Sequence, residues 1–426
     1  MVRFLIKGVL RDRSRSLFSF LVIIICVTLA VFFRGFMAGV FDDMLRQSAI
    51  LLTGHVKVTT QAYAEETDLL PNDLAILAVD SLLTVLSAEH PEMFWSPRIT
   101  FAGLLDIPDA YGETRSQGTM MGIAVDLLSE GTRQPELWEL DNKLVRGHLP
   151  REQDEVLLGE QFARSLEVEP GETATFIGAT MHGGFTTYNF RVAGTVSLGV
   201  GGIGKHFLLA DLNGARQALD MEDAASEIFG FYDDMYYDDP AAMALTAAFN
   251  TTHNQADDEF SLFMRALRDQ EQMGQMLEYS NAVIWIMILM FMSVVILVLW
   301  NLGLMNGLRR YGEFGMRLAM GETKGHVFRT TISESVIIGL GASVVGTAIG
   351  LLLTYWMQEV GIDYSSIMEG FDFPITYVMR AKITPDCWYL GFIPGVLATM
   401  LGTMLAGRGI FKRQMSQLFK ELELEA

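Results

Sequence analysis

The chain has 426 residues, a formal net charge of −20 and 50% apolar residues. The acidic balance excludes recognition of nucleic acid through a basic surface, and two cysteines, Cys26 and Cys387, supply neither a disulfide framework nor a cysteine metal site. The apolar residues are clumped into four windows of membrane-spanning length that, apart from Arg34 in the first, lack Asp, Glu, Lys and Arg; a hydrocarbon core of roughly 30 Å needs about 20 helical residues.

In chain order, residues 1–16 interleave Arg3, Lys7, Arg11, Arg13 and Arg15 with Phe4, Leu5, Ile6, Val9 and Leu10, which predicts an amphipathic helix lying on the cytoplasmic membrane surface. Residues 17–41 read as a first span. It is expected to remain as an anchor, because no clear small-x-small cleavage site follows it. Arg34, near its outer end, is expected to snorkel to the interface. Residues 42–280 form a large mixed α+β domain. Strands are expected at His55–Thr60, Glu155–Leu158, Thr173–Ile177, Asn189–Val196 and His206–Ala210, and helices at Ala75–Ala88, Gln161–Leu166 and Leu212–Leu219. Pro91 stops the first of these helices. Phe260, Phe263, Met264 and Leu267 have helical spacing, so 260–279 reads as a stalk helix running without a break into the second span, 281–305.

Residues 306–332 follow as a short cytoplasmic segment. A helix over Arg309–Met320, roughly 18 Å long, is expected to stop at Gly321, with Thr323 capping the next helix. The third span is 333–357, a loop occupies 358–386, the fourth span is 387–407, and 408–426 is a tail. The fold class is therefore a four-helix membrane protein with a large mixed α+β domain between the first two spans.

Orientation follows from charge. Residues 1–16, 306–332 and 407–426 hold 14 of the 31 basic residues, which places both termini and the short segment in the cytoplasm. Residues 42–280 carry 14 Lys and Arg against 39 Asp and Glu, a charge of −25, which leaves +5 for the rest. The acidity reads as solubility of an exposed domain.

Several motifs fail on inspection. Gly199–Lys205 matches most of a phosphate-binding loop, but His206 stands where Ser or Thr should bind magnesium, and strand-like residues follow where a helix should open. The seven histidines show no zinc spacing, and Asp233–Asp239 lacks the ligand spacing of a calcium loop. No cofactor or metal is expected, and no catalytic group. The near-absence of ionisable residues within the spans argues against ion-coupled transport. Any work done on a substrate must draw its energy from elsewhere.

One segment is specific. Arg309-Arg310-Tyr311-Gly312-Glu313-Phe314-Gly315-Met316-Arg317-Leu318-Ala319-Met320-Gly321 resembles the signature of the FtsX-like permeases, which include the lipoprotein-release (LolC/LolE) and macrolide-export (MacB) ABC transporters. Glu313, Gly315, Ala319 and Gly321 match the pattern, and Glu322 replaces its usual small residue. Gly54–Val58, Glu155–Gly159 and Pro170–Thr173 are similar to the outer domain of those proteins, with less specificity. The resemblance implies a non-catalytic permease subunit of the bacterial inner membrane. A separate cytoplasmic ABC ATPase in two copies would drive it, with a second permease, identical or not, and membrane lipids as further partners. It further implies that Arg310, Glu313, Gly315, Arg317, Ala319, Gly321 and Lys324 couple to the ATPase. Gly315 would let the ATPase approach the backbone, and Arg317 would pair across the contact or with Glu313. Lipoprotein release fits the layout best. Export of a peptide or drug with an adaptor, and signalling to a cell-wall hydrolase, remain alternatives.

Overall fold

The computed structural model describes residues 13–109, 111–197, 206–255, 258–270, 273–309, 311–363 and 378–412. The chain divides into two compact units. One comprises Met1–Asp42, Tyr279–Ser365 and Val378–Ala426; the other is Asp43–Glu278 with Ser366–Tyr377.

The first unit is built on four helices long and apolar enough to cross a membrane: Leu17–Thr53, Met273–Met305, Lys324–Val360 and Cys387–Gly407. Their inner faces share one core, in which Ile23, Val27 and Val31 meet Val295, Leu299, Ala342, Cys387 and Ala398. Their outer faces are also apolar: Leu21, Ile25 and Leu29 on the first helix and Trp356 on the third are exposed. A helix apolar all round requires an apolar surrounding. The fourth helix is not regular. Pro394 cannot donate a backbone hydrogen bond, and residues Ile393–Ala398 widen into a π turn before the α-helix resumes at Thr399. Arg34, expected to reach the interface, meets Asp386, the residue before the fourth apolar helix. Its guanidinium lies 2.9 Å from the Asp386 carboxylate and is largely shielded from solvent. Lys382 pairs with Asp42, and its backbone N–H donates to Gly35 O at 2.9 Å. The amphipathic helix expected for residues 1–16 falls mostly on residues outside those described; helix is present from Arg13.

The second unit contains a ten-stranded sheet. Its strands are β1 (Val56–Thr60), β3 (Met93–Pro108), β4 (Thr114–Val125), β5 (Leu144–Gly147), β6 (Glu155–Gly159), β7 (Thr173–Ala179), β8 (Phe185–Val196), β9 (Phe207–Asp211), β11 (Glu227–Tyr232) and β12 (Leu262–Ala266); the short β2 (Ile76–Leu77) and β10 (Ala224–Ala225) pair with each other. Pairing runs β3–β4–β9–β6–β8–β7 and returns from β7 to β3, so six strands close a ring. Its core includes Phe101, Leu105, Val156, Leu158, Phe176, Phe190 and Leu208. Closure removes free sheet edges.

The remaining strands β12, β1 and β11 extend from the first half of β3. Helices Val79–Glu89 and Asp239–His253 cover one face of this lobe, with Val56, Val58, Leu86, Ile228, Phe249 and Met264 between the layers. The edge strand β12 is blocked by a side chain. Asn250 donates to Met264 O at 2.8 Å and accepts from Met264 N at 2.7 Å, as a neighbouring strand would.

The acidic run is absorbed by local structure. Asp233 pairs with Arg133, Asp238 caps the helix that follows, and Asp239 pairs with Arg268. The helical reading of 260–279 is overturned. Leu262–Ala266 is a strand registered on β1, Leu267–Asp269 a 3-10 turn, and helix begins only at Met273. The apolar spacing that suggested a helix serves a strand whose Met264 and Ala266 are buried.

His55 makes this lobe sensitive to acid. Its Nδ1 accepts a hydrogen bond from Tyr232 N at 3.0 Å, so the ring is neutral. Burial pushes its pKa from 6.5 down to about 4; Asp234 works against this shift and Arg46 adds to it. Between those values the unfolded chain binds a proton and the native chain does not, so stability is full above pH 6.5 and falls as pH drops towards 4. The loss is at most about 3 kcal/mol. His55→Gln removes this titration. The melting temperature of wild type should therefore approach that of the variant between pH 7 and pH 5; parallel curves over that range would exclude His55 as the cause.

Candidate functional site

The segment between the second and third apolar helices folds on local instructions. Helix Tyr311–Ala319 places Phe314 and Leu318 one turn apart, and both are buried against Val327 of the next helix. The helix ends in a Schellman turn. Glu322 N donates to Arg317 O and Gly321 N to Leu318 O, each at 3.1 Å, with Gly321 at φ +94°. Only glycine takes that conformation without a cost of about 1 kcal/mol or more. Thr323 is extended and its side chain accepts from His326 N, which opens the helix Lys324–Val360. Gly321 as stop and Thr323 as cap both stand where the sequence puts them.

The site residues are distributed as follows. Glu313 and Arg317 are half-buried on one flank. Arg317 Nε lies 2.9 Å from Glu322 Oε2, across the turn. Glu322, the departure from the usual small residue, thus ties the two ends of the turn together. Gly315 is buried, on the side of Phe314 rather than on the open face. On this helix the buried arc passes through 314, 315 and 318. Ala319 and Gly321 are exposed, and Lys324 is half-buried in the first helical turn. A cation there opposes the helix dipole, so local helix stability does not account for it. Arg310 lies outside the described residues, as does the loop Gly199–Lys205; the strand β9 that follows that loop is not the helix a phosphate-binding loop opens.

The open face of the short helix carries residues that spacing of charged groups did not single out. Met316 is 53% exposed and Met320 77%, with Ala319 between them. Their i, i+4 spacing opposite Phe314 and Leu318 was the available signal. The face is apolar, uncharged and adaptable, as methionine surfaces are. It is suited to covering by another apolar surface. In the second unit, a cavity of about 330 Å³ is lined by Gln61, Ala64, Glu65, Asn254, Phe263 and Arg265; its lining holds both an acid and a base and selects no single ligand class.

Comparison with a family model bears on the first unit. Residues 285–415 match the family model described as FtsX-like permease C-terminal. Over 118 residues the chain is 29% identical to a Mycobacterium tuberculosis protein described as an uncharacterized ABC transporter permease; the match covers 27% of this chain and 13% of that protein, so the chain spans about an eighth of that relative. The crystal structure of the periplasmic region of MacB from Actinobacillus actinomycetemcomitans covers 54% of this chain and 97% of its own, at 18% identity and a TM-score of 0.34. That score is too low to relate the two folds in detail.

Proposed function

We propose, taking as premise that residues 285–415 are an FtsX-like permease domain, that the chain is a membrane subunit of an ABC transporter and that the helix Tyr311–Ala319 receives a separate ATPase chain. The observation that carries this reading is the open face of Met316, Ala319 and Met320 on a short helix and the turn that follows it, whose C-terminal end is fixed by local hydrogen bonds and joined to a capped helix. Such a helix can accept a push without unravelling. In this reading two ATPase chains act on two permease chains, alike or different. Residues 306–332 and both termini are cytoplasmic, the chain resides in a bacterial inner membrane, and Asp43–Glu278 lies outside. ATP hydrolysis moves the outer domain, and the cargo, a lipoprotein, is released from the outer leaflet without crossing the membrane. The near-absence of ionisable groups from the spans supports an external energy source.

The test is copurification of the native ATPase with the full chain. Met320→Glu alters only an exposed side chain, so the protein should insert and melt as wild type does. It should retain at least tenfold less ATPase, about 1.4 kcal/mol of contact, whereas Met320→Leu should retain it fully. Wild-type retention by Met320→Glu would exclude this face as the contact.

A further inference from the structure

The domain-side ends of two long helices, Arg13–Ser48 and Met273–Arg309, converge on one buried site. The helix that starts at Arg13 finishes in a π turn, Ala49–Thr53, before Gly54 reverses the chain. The last carbonyls of a helix have no partner within it. Here Arg98 takes two of them: Nη1 donates to Leu51 O at 2.6 Å and Nη2 to Ile50 O at 2.7 Å. Both are short, charge-assisted bonds. The guanidinium is buried, 3.9 Å from the centre of the Phe229 ring, with Trp138 on another side. Burial pulls its pKa down to about 10, with Glu227 opposing the fall, so it stays charged at neutral pH.

A second clamp lies beside the first. Gln270 is buried, and its side-chain amide donates to Thr53 O at 3.1 Å. Its backbone carbonyl accepts from Met273 N at 2.7 Å, where the second long helix begins. Ala49, Leu267 and Met273 pack together at the same place. Arg98 also has a special position in the sheet: on β3 it is paired with Glu227 of β11 on one side and Val125 of β4 on the other. It therefore sits where the strand passes from the helix-covered lobe into the six-stranded ring.

We propose that Arg98 and Gln270 form a joint that fastens both long-helix ends to strand β3, so that displacement of either helix end is delivered to the sheet instead of being absorbed at the connection. Arg98 is a positioning residue, acting through the carbonyls of Ile50 and Leu51. The proposal rests on the permease reading for what drives the displacement, but the joint itself does not.

Hydrogen exchange on the full-length chain in lipid nanodiscs tests the joint without any partner. In Arg98→Met, peptides covering 45–55 and 264–278 should exchange at least tenfold faster, while peptides from β6 and β8 change less than twofold; Arg98→Lys should restore part of the protection. Unchanged exchange at 45–55, or equal acceleration everywhere, would overturn the joint. With the copurified ATPase trapped by ATP and vanadate, wild type should show altered exchange in β3 that Arg98→Met loses while ATP turnover persists. The same β3 response in both would overturn delivery through Arg98. Failure of any ATPase to copurify would instead remove the permease reading and leave the first measurement to decide the joint.

Discussion

Leucine at Gly350 or Gly346 should abolish recovery of a folded chain from membranes, the largest effect expected of any single substitution here. These glycines are one turn apart on the third apolar helix and lie against the first. A Cβ at Gly350 would stand 2.8 Å from Val31 Cβ and 3.1 Å from Thr28 O; one at Gly346 would stand 2.9 Å from both Ile24 O and Val27 Cβ. Thr28 Oγ1 donates to Gly346 O at 3.1 Å across the same contact. In a bilayer, helix association draws on close packing and such hydrogen bonds, because burial of apolar surface gains nothing against lipid. Overpacking costs about 1–3 kcal/mol even where neighbours can move, and here some of the neighbours are backbone atoms. Gly341→Leu, on the same helix but with only Phe20 at 3.5 Å, is the control. Size-exclusion profiles in detergent should show aggregate for Gly350→Leu and a single species for Gly341→Leu. Similar profiles for the two would mean that the first and third helices do not depend on this contact.

Lys57→Met should destabilise the helix-covered lobe by about 3–5 kcal/mol, the usual cost of stranding one member of a buried ion pair. Lys57 Nζ and Glu227 Oε1 are 2.8 Å apart on neighbouring strands, and both side chains are almost wholly shielded. Without Lys57, Glu227 is left to the guanidinium of Arg98, which is already bonded to Ile50 and Leu51. Adding Glu227→Leu should recover part of the loss, with a coupling of about 1.5 kcal/mol or more in a double-mutant cycle. Pulse proteolysis of the full chain across a urea series measures each variant. Strict additivity would show that the two groups do not stabilise one another.

The parts of this molecule that depend on nearest neighbours in the chain were legible. Four apolar windows, the stop at Gly321, the cap at Thr323 and the strands around Val56–Thr60, Glu155–Gly159 and Phe207–Asp211 all stand where local pattern places them. Each depends on composition over a few turns or on one residue's backbone freedom. The strand Leu262–Ala266 was misread because the segment fits two periods, Phe260, Phe263, Met264 and Leu267 the helical one and Leu262, Met264 and Ala266 the extended one, and only pairing with β1, some 200 residues earlier, selects the latter. The hairpin of β3 and β4, the longest pairing in the domain, carries no turn motif strong enough to announce it.

What local pattern determined by itself was a membrane chain with four apolar helices, a large acidic mixed domain and a short amphipathic helix between the second and third spans. Tertiary structure alone decided the rest. Phe314 and Leu318 are buried because Val327, from the following helix, packs beside them, and Gly315 falls on that buried side; a glycine in sequence shows no preference for either face. Arg34 finds Asp386 across 352 residues, so its charge is neutralised by an ion pair that no local pattern announces. The ring closes because β7 reaches both β3 and β8, and Arg98 meets the carbonyls of Ile50 and Leu51 only once β3 is in register between β11 and β4. A helical period or a cap is encoded within one turn of chain. A closed sheet, or a cation seated on the end of a distant helix, is encoded only in the register of strands that meet after the chain has folded.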